Sequence, residues 1–187
     1  DTMKPLGQLQ QIGQSVWLDY IRRDLITSDG LKRLVEEGGV RGITSNPTIF
    51  EKAISGSADY DHAIRKTLVA NPGIEPDALF EKLEVEDIQL AADVLRPVYD
   101  ATSGADGFVS IEVLPKWAND TAGTIDEAKR LWRDVGRPNL MVKVPSTPAG
   151  ITAIEELTAA GVNVNITLMF SMAHYEAVAH AYIRGLE

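Results

Sequence analysis

Strand-like and helix-like segments alternate along this chain of 187 residues, each strand segment is apolar on one side and polar on the other, and a lone lysine interrupts an apolar strand. The alternation predicts an α/β fold with a parallel sheet. Parallel sheets covered by helices are expected to be apolar on both faces, so the polar side needs a reason. A sheet closing toward a (β/α)8 barrel supplies one, because such barrels carry their chemistry at the carboxyl ends of the strands.

The strands are expected near Ser15 to Asp19, Val40 to Asn46, Gly107 to Val113, Leu140 to Val144 and Val162 to Thr167. Successive side chains of a strand point to opposite faces, so each segment sorts by parity. One parity holds Val16, Leu18, Ile43, Val109, Ile111, Val113, Val142, Val144, Val164 and Ile166. The other holds Trp17, Asp19, Thr44, Asn46, Ser110, Glu112, Met141, Lys143, Asn163, Asn165 and Thr167, and grows more polar toward the strand ends.

The connections read as helices. One starts at Ser28 or Asp29, runs through Leu31, Leu34 and Val35, and stops at Gly38-Gly39, where glycine takes the left-handed cap conformation. Thr124 to Glu127 has the form of a capping box, opening a helix through Ala128, Leu131 and Trp132 that Gly136 closes. Pro148 to Ala160 places Ile151, Ile154 and Leu157 on one face, and Gly161 stops it. Ser171 caps a last helix through Tyr175, Val178 and Tyr182 toward Gly185. The interval from about 48 to 105 breaks the alternation with helical patterns at Ile49 to Ser55, Tyr60 to Val69 and Pro76 to Tyr99, and reads as a helical insertion in one domain spanning 1–187.

Lys143 sits in Leu140-Met-Val-Lys-Val-Pro-Ser-Thr147. A buried ammonium is costly unless paired, and burial favours the free amine, which attacks carbonyls. The bland rival is a strand-end lysine whose stem lies on apolar surface while its head reaches water. Composition narrows the setting. With no cysteine there is neither a disulfide framework nor thiol catalysis. No apolar run approaches the roughly 20 residues of a membrane span, and no signal-peptide pattern opens the chain, so a cytoplasmic protein is expected. A net charge of -9 argues against a nucleic-acid surface. The chain opens on Asp1-Thr2 without methionine, as a processed start would.

Two segments are specific. Gly42-Ile-Thr-Ser-Asn-Pro-Thr-Ile-Phe50 resembles the first signature of the transaldolase family, and Leu140-Met-Val-Lys-Val-Pro-Ser-Thr-Pro-Ala-Gly150 resembles the second, around the Schiff-base lysine. Trp17-Leu-Asp19, Ser110-Ile-Glu112 and Asn163-Val-Asn-Ile-Thr-Leu-Met-Phe-Ser171 resemble further strands of that family in the same order. The start Trp17 to Asp24 is similar to bacterial members that occur fused to an isomerase. The resemblance implies a (β/α)8 barrel of the class I aldolase type and reversible transfer of a dihydroxyacetone unit between sugar phosphates of the pentose phosphate pathway. It implies no metal or organic cofactor. On the matched positions, Lys143 would form the Schiff base, Glu112 would move protons through an ordered water, and Asp19 would act on the C4 hydroxyl. Asn46 and Asn165 would bind the dihydroxyacetone hydroxyls, Thr167 would orient the water, and Ser146, counted with them as substrate-binding, would lie with Thr147 just above the lysine.

Each residue has a plainer reading. Asp19 lies near Arg22 and Arg23 and could form a surface ion pair, and Asn46 before Pro47 could be a turn residue. Lys116, Trp117, Asn119 and Asp120 read as loop, the three tryptophans as packing, and His62, His174 and His180 as helical residues without chemistry. Length sets the remaining expectation. A barrel of this type takes about 250 residues and eight strands, and five strands are legible. The chain therefore reads as the N-terminal part of a longer enzyme, poorly active alone, with the phosphate-binding serine and arginine of the family beyond Glu187. An open sheet edge would favour association, including of two copies. The alternatives are a fructose 6-phosphate aldolase-like lyase that needs no acceptor, and a non-catalytic half-barrel association module.

Overall fold

The computed structural model describes residues 5–187, so the expectation of a processed start at Asp1-Thr2 lies outside the described residues. The chain forms two compact units, residues 1–109 and 110–187. The first contains α1 (Pro5–Gln11), β1 (Trp17–Asp19), α2 (Arg23–Thr27), α3 (Gly30–Arg33) with a π turn at Leu34–Gly38, β2 (Gly42–Thr44), α4 (Pro47–Ser55), a 3-10 turn at Ala58–Tyr60, α5 (Asp61–Ala70), α6 (Pro76–Ala101) and Val109, the first residue of β3 (Val109–Glu112). The second contains the rest of β3, a 3-10 turn at Pro115–Trp117, α7 (Thr121–Val135), β4 (Leu140–Pro145), α8 (Pro148–Ala159), β5 (Val164–Thr167) and α9 (Met172–Leu186).

In the first unit β1 and β2 pair in parallel, Leu18 against Ile43 and Asp19 against Thr44, and Ile43 pairs in parallel with Val109. In the second, Val113 donates its N–H to the Lys143 carbonyl at 3.1 Å, and β4 pairs in parallel with β5 from Val142↔Val164 to Pro145↔Thr167. Helices follow the strands, which makes the class α/β: five of the eight βα units of a (β/α)8 barrel. β1, β2, β3 and β5 are shorter than the periodicity suggests, whereas β4 runs one residue longer, to Pro145.

Burial follows the expected parity in β4 and for the apolar members of β2 and β3, whereas β1 and β5 show no alternation and Ser110, on the polar parity, is also buried. Ile43, Val109, Ile111, Val113, Val142 and Val144 are at most 2% exposed, on the side their helices cover. In the first unit Leu83, Ile88, Ala91 and Leu95 bury one stripe of α6, and Ala53, Tyr60 and Leu83 form a cluster under α4 and α5. In the second, Ala128, Leu131 and Val135 of α7 and Ala153, Ile154 and Leu157 of α8 are buried. None of the described helices is long and apolar enough to cross a membrane.

The start of α7 differs from expectation, while the helix after Asp29 begins and ends where expected. α7 begins at Thr121, capped by Asp120, which accepts from the Gly123 N–H at 3.0 Å. The Thr124 hydroxyl cannot cap, because it is buried and donates to the Trp117 carbonyl at 2.8 Å. Asp29 takes the N-cap place of α3 in a left-handed conformation, φ 61°, and its side chain makes no capping bond. The helix after it loosens into a π turn before Gly39 closes it at φ 84°. α1 and α2 have no strong periodic signal and were not foreseen.

Gly42 shows how tightly β1 and β2 approach. A Cβ at this position would collide with the Trp17 indole ring, which Ser15 holds by accepting its N–H at 3.0 Å. Trp17 packs here against Gly42 while sharing the inner parity with Asp19. Gly42→Ala is therefore an overpacking change, expected to cost about 1–3 kcal/mol and to lower the melting temperature measured by circular dichroism.

Candidate active site

In the second unit, Lys143 and Glu112 meet. They project from adjacent parallel strands, and the ammonium lies 2.9 Å from a carboxylate oxygen of Glu112. Their side chains are only 14% and 17% exposed. The lysine is thus neither an unpaired amine in an apolar pocket nor a strand-end group reaching water. A proton can pass directly between the two groups at this distance.

The residues after Lys143 hold the pair in place. The Ser146 N–H donates to the Thr167 carbonyl at 2.9 Å, and the buried Ser146 hydroxyl donates to the Leu168 carbonyl at 2.8 Å. Thr147 caps α8 by accepting from the Gly150 N–H at 3.0 Å, and Pro148 occupies the first helical position, where its missing N–H costs nothing. The Thr147 hydroxyl also donates to the Ala118 carbonyl. Gly150 has no alternative, since a Cβ there would strike the carbonyl oxygen of Pro145. The pattern from Lys143 to Gly150 is therefore a strand locked tightly onto the helix that follows it. Asn165 stands opposite Lys143 in the register, and Thr167 opposite Pro145. Both are half-buried.

In the first unit, Asp19 ends β1 and is exposed. The surface ion pair weighed for it is absent. Arg22 donates from Nε to Asp59 at 2.6 Å, and Arg23 donates from Nε to Asp87 at 2.7 Å while its outer nitrogen reaches Glu86 at 3.2 Å. Both arginines are committed elsewhere. Arg22 holds the Asp59 carboxyl below its ordinary range, chiefly through that hydrogen bond. Asn46 is the N-cap of α4, accepting from the Ile49 N–H at 2.9 Å, with Pro47 at the first helical position. Its turn role is realised, and its amide nitrogen remains a donor.

Sequence reasoning missed a buried network beside Asp19. The Tyr60 hydroxyl donates to Asp87 at 2.7 Å and accepts from the Arg23 backbone N–H at 3.1 Å. Tyr60 and Asp87 are fully buried, and the Arg23 guanidinium lies 4.9 Å from the centre of the Tyr60 ring. Burial raises the Asp87 carboxyl, while the bonds from Tyr60 and Arg23 oppose that rise. Burial and the bond to Asp87 raise the Tyr60 phenol well above its ordinary value. His62, His174 and His180 are exposed on α5 and α9, and the described residues contain no cluster suited to a metal ion.

Parallel βα units with a lysine and a glutamate in contact on neighbouring strands place the chain among α/β proteins of the (β/α)8 type. Within that class, the chain belongs to the transaldolase/fructose-6-phosphate aldolase family, whose model matches residues 16–185. It is similar to transaldolase 2 of Nostoc punctiforme, 51% identical over 182 residues, which is 97% of this chain and 47% of the relative. It is also similar to the transaldolase of Thiobacillus denitrificans, 47% identical over 95% of this chain and 49% of the relative. The transaldolase of Acidothermus cellulolyticus is 46% identical over 98% of this chain and 49% of its own. The chain spans about half the length of these relatives.

The Tyr60 phenol links stability to pH. Its folded pKa is raised above the unfolded value of about 10, so its contribution is fully present below pH ~10 and is lost as pH rises through the folded value. Melting temperatures of the chain are expected to fall as pH rises above about 10, and Tyr60→Phe is expected to flatten part of that slope.

Proposed function

We propose that the protein to which this chain belongs is a transaldolase, moving a dihydroxyacetone unit from a ketose phosphate such as fructose 6-phosphate or sedoheptulose 7-phosphate to an aldose phosphate. The observation that carries the reading is the contact between Lys143 and Glu112. Glu112 accepts a proton from the ammonium, and the free amine adds to the C2 ketone to give a carbinolamine. Glu112 then returns the proton, directly or through a water held by Thr167, to the departing hydroxyl, so that water leaves and an iminium remains. Asp19 takes the proton of the C4 hydroxyl, the C3–C4 bond breaks, its electron pair flows to the iminium, and the aldose phosphate departs. The enamine left on Lys143 adds to the acceptor aldehyde, which receives the proton back from Asp19. Hydrolysis of the new iminium frees the product. The iminium is itself the electron sink, so the chemistry calls on no cofactor. Asn46 and Asn165 bind the dihydroxyacetone hydroxyls, and Ser146 holds the strand end above the lysine.

This reading places the protein in cytoplasmic carbohydrate metabolism and makes sugar phosphates its partners. Leu168, Phe170, Met172, Tyr175, Ile183 and Leu186 are each more than half exposed on and around α9, which favours a second property, self-association of the chain through this face. Size-exclusion chromatography with light scattering tests it: a dimer that Phe170→Glu dissociates supports association, and a monomer at high concentration removes it.

Intact mass after incubation with fructose 6-phosphate and borohydride tests the chemistry. A reduced three-carbon adduct, mapped to Lys143 and absent in Lys143→Ala, is the expected result. Glu112→Gln is expected to slow its formation by about 10²–10⁴-fold. No adduct under conditions in which the chain is folded would overturn the proposal for this chain. Adding erythrose 4-phosphate separates transfer from simple cleavage: a transaldolase gives sedoheptulose 7-phosphate, whereas a lyase releases dihydroxyacetone whether or not acceptor is present.

A further inference from the structure

We infer that Tyr60 and Asp87 are positioning residues for Asp19, acting through Arg23 on the loop that joins β1 to α2; the inference rests on reading Asp19 as the base for the C4 hydroxyl. Asp19 is the last residue of a strand only three residues long, and among the described residues no ion pair holds its carboxylate. Its direction is therefore set by its backbone and by the segment leaving it, Tyr20 to Arg22. That segment is fixed at its far end. The Arg23 N–H ends on the Tyr60 hydroxyl, the Arg23 side chain ends on Asp87, and the Tyr60 hydroxyl closes the triangle by donating to the other oxygen of Asp87. Ile21, fully buried, adds an apolar anchor in the middle.

The three groups come from the start of α2, the turn before α5 and the middle of α6, so two separate elements converge on one loop. An ion pair inside a protein contributes little net stability compared with apolar residues of similar volume, because both charges lose water. What a fully satisfied network supplies is a single geometry. Here the geometry it specifies is that of the first turn after Asp19. Tyr60 is the better probe, because removing its hydroxyl leaves the ring, its packing and the Arg23–Asp87 pair in place.

The experiment uses the whole 187-residue chain as wild type, Tyr60→Phe and, as a second variant, Asp87→Asn. Melting temperature is measured first, then amide hydrogen exchange, then the borohydride-trapped adduct with fructose 6-phosphate. In a folded Tyr60→Phe chain, exchange from Tyr20 to Arg23 is expected to quicken at least tenfold while β2 and α6 keep their protection. The adduct on Lys143 is expected to change from the three-carbon unit to the intact six-carbon sugar phosphate, because the Schiff base still forms while C3–C4 cleavage slows. Exchange that stays unchanged overturns the inference, as does exchange that rises evenly across the first unit, which would mark general fold support. A persistent three-carbon adduct overturns it too. A wild-type chain that traps no sugar at all defeats the transaldolase reading of this chain and not the loop assignment, which the exchange pattern then decides.

Discussion

The ion pair between Lys143 and Glu112 is the constraint around which the second unit is organised. Two charges this little exposed cannot be left apart, since removing water from either alone costs several kcal/mol. They are kept together by backbone: β3 and β4 lie side by side, and the Val113 N–H bonds to the carbonyl of Lys143 itself. The strand is in turn held at its far end by Ser146, Thr147 and the close approach of Gly150 to Pro145. The bonding around Lys143 is concentrated on its backbone and on the residues that follow it in the strand.

The same local solution appears twice. After β2 and after β4, a capping residue accepts a hydrogen bond from the N–H three positions on, a proline fills the first helical position, and the helix starts after only two residues. Asn46-Pro47 and Thr147-Pro148 differ in sequence but satisfy the same orphan donors. Such turns are short because cap and proline together remove the backbone freedom a longer connection would have to lose.

Where the sequence was legible, a single physical cause dominated. Strand parity could be read because Val and Ile at alternate positions bury against helices, and Glu112 and Lys143 stood out as the charged residues of β3 and β4, on the same parity. Helix ends were less legible. Thr124 has the spacing of a capping box, but its hydroxyl is drawn to the Trp117 carbonyl, so Asp120 caps in its place. Only tertiary contact decides between two such candidates. The Tyr60–Asp87–Arg23 network left one faint trace: Asp87 falls among Leu83, Ile88 and Ala91 on the buried stripe of α6, a carboxylate where an apolar residue belongs. A polar interruption of a helix stripe carries the same information as a lysine in a strand, though its partners lie 27 and 64 residues away in sequence and cannot be paired by spacing.

The two arginines after β1 show why charge counting along a sequence misleads. Proximity assigns Arg22 and Arg23 to Asp19, yet each turns to a carboxylate from another element, Arg22 to Asp59 and Arg23 to Asp87. The difference is geometric. A residue at a strand end and one three or four positions later, at the start of a helix, need not share a face, whereas Asp59 and Asp87 come from elements that pack against α2. The outcome is a carboxylate at the end of β1 beside two cations that are already neutralised. An aspartate bonded to arginine would be a poor base, because the cation lowers its affinity for a proton. The fold satisfies both arginines elsewhere, and among the described residues neither of them pairs with Asp19.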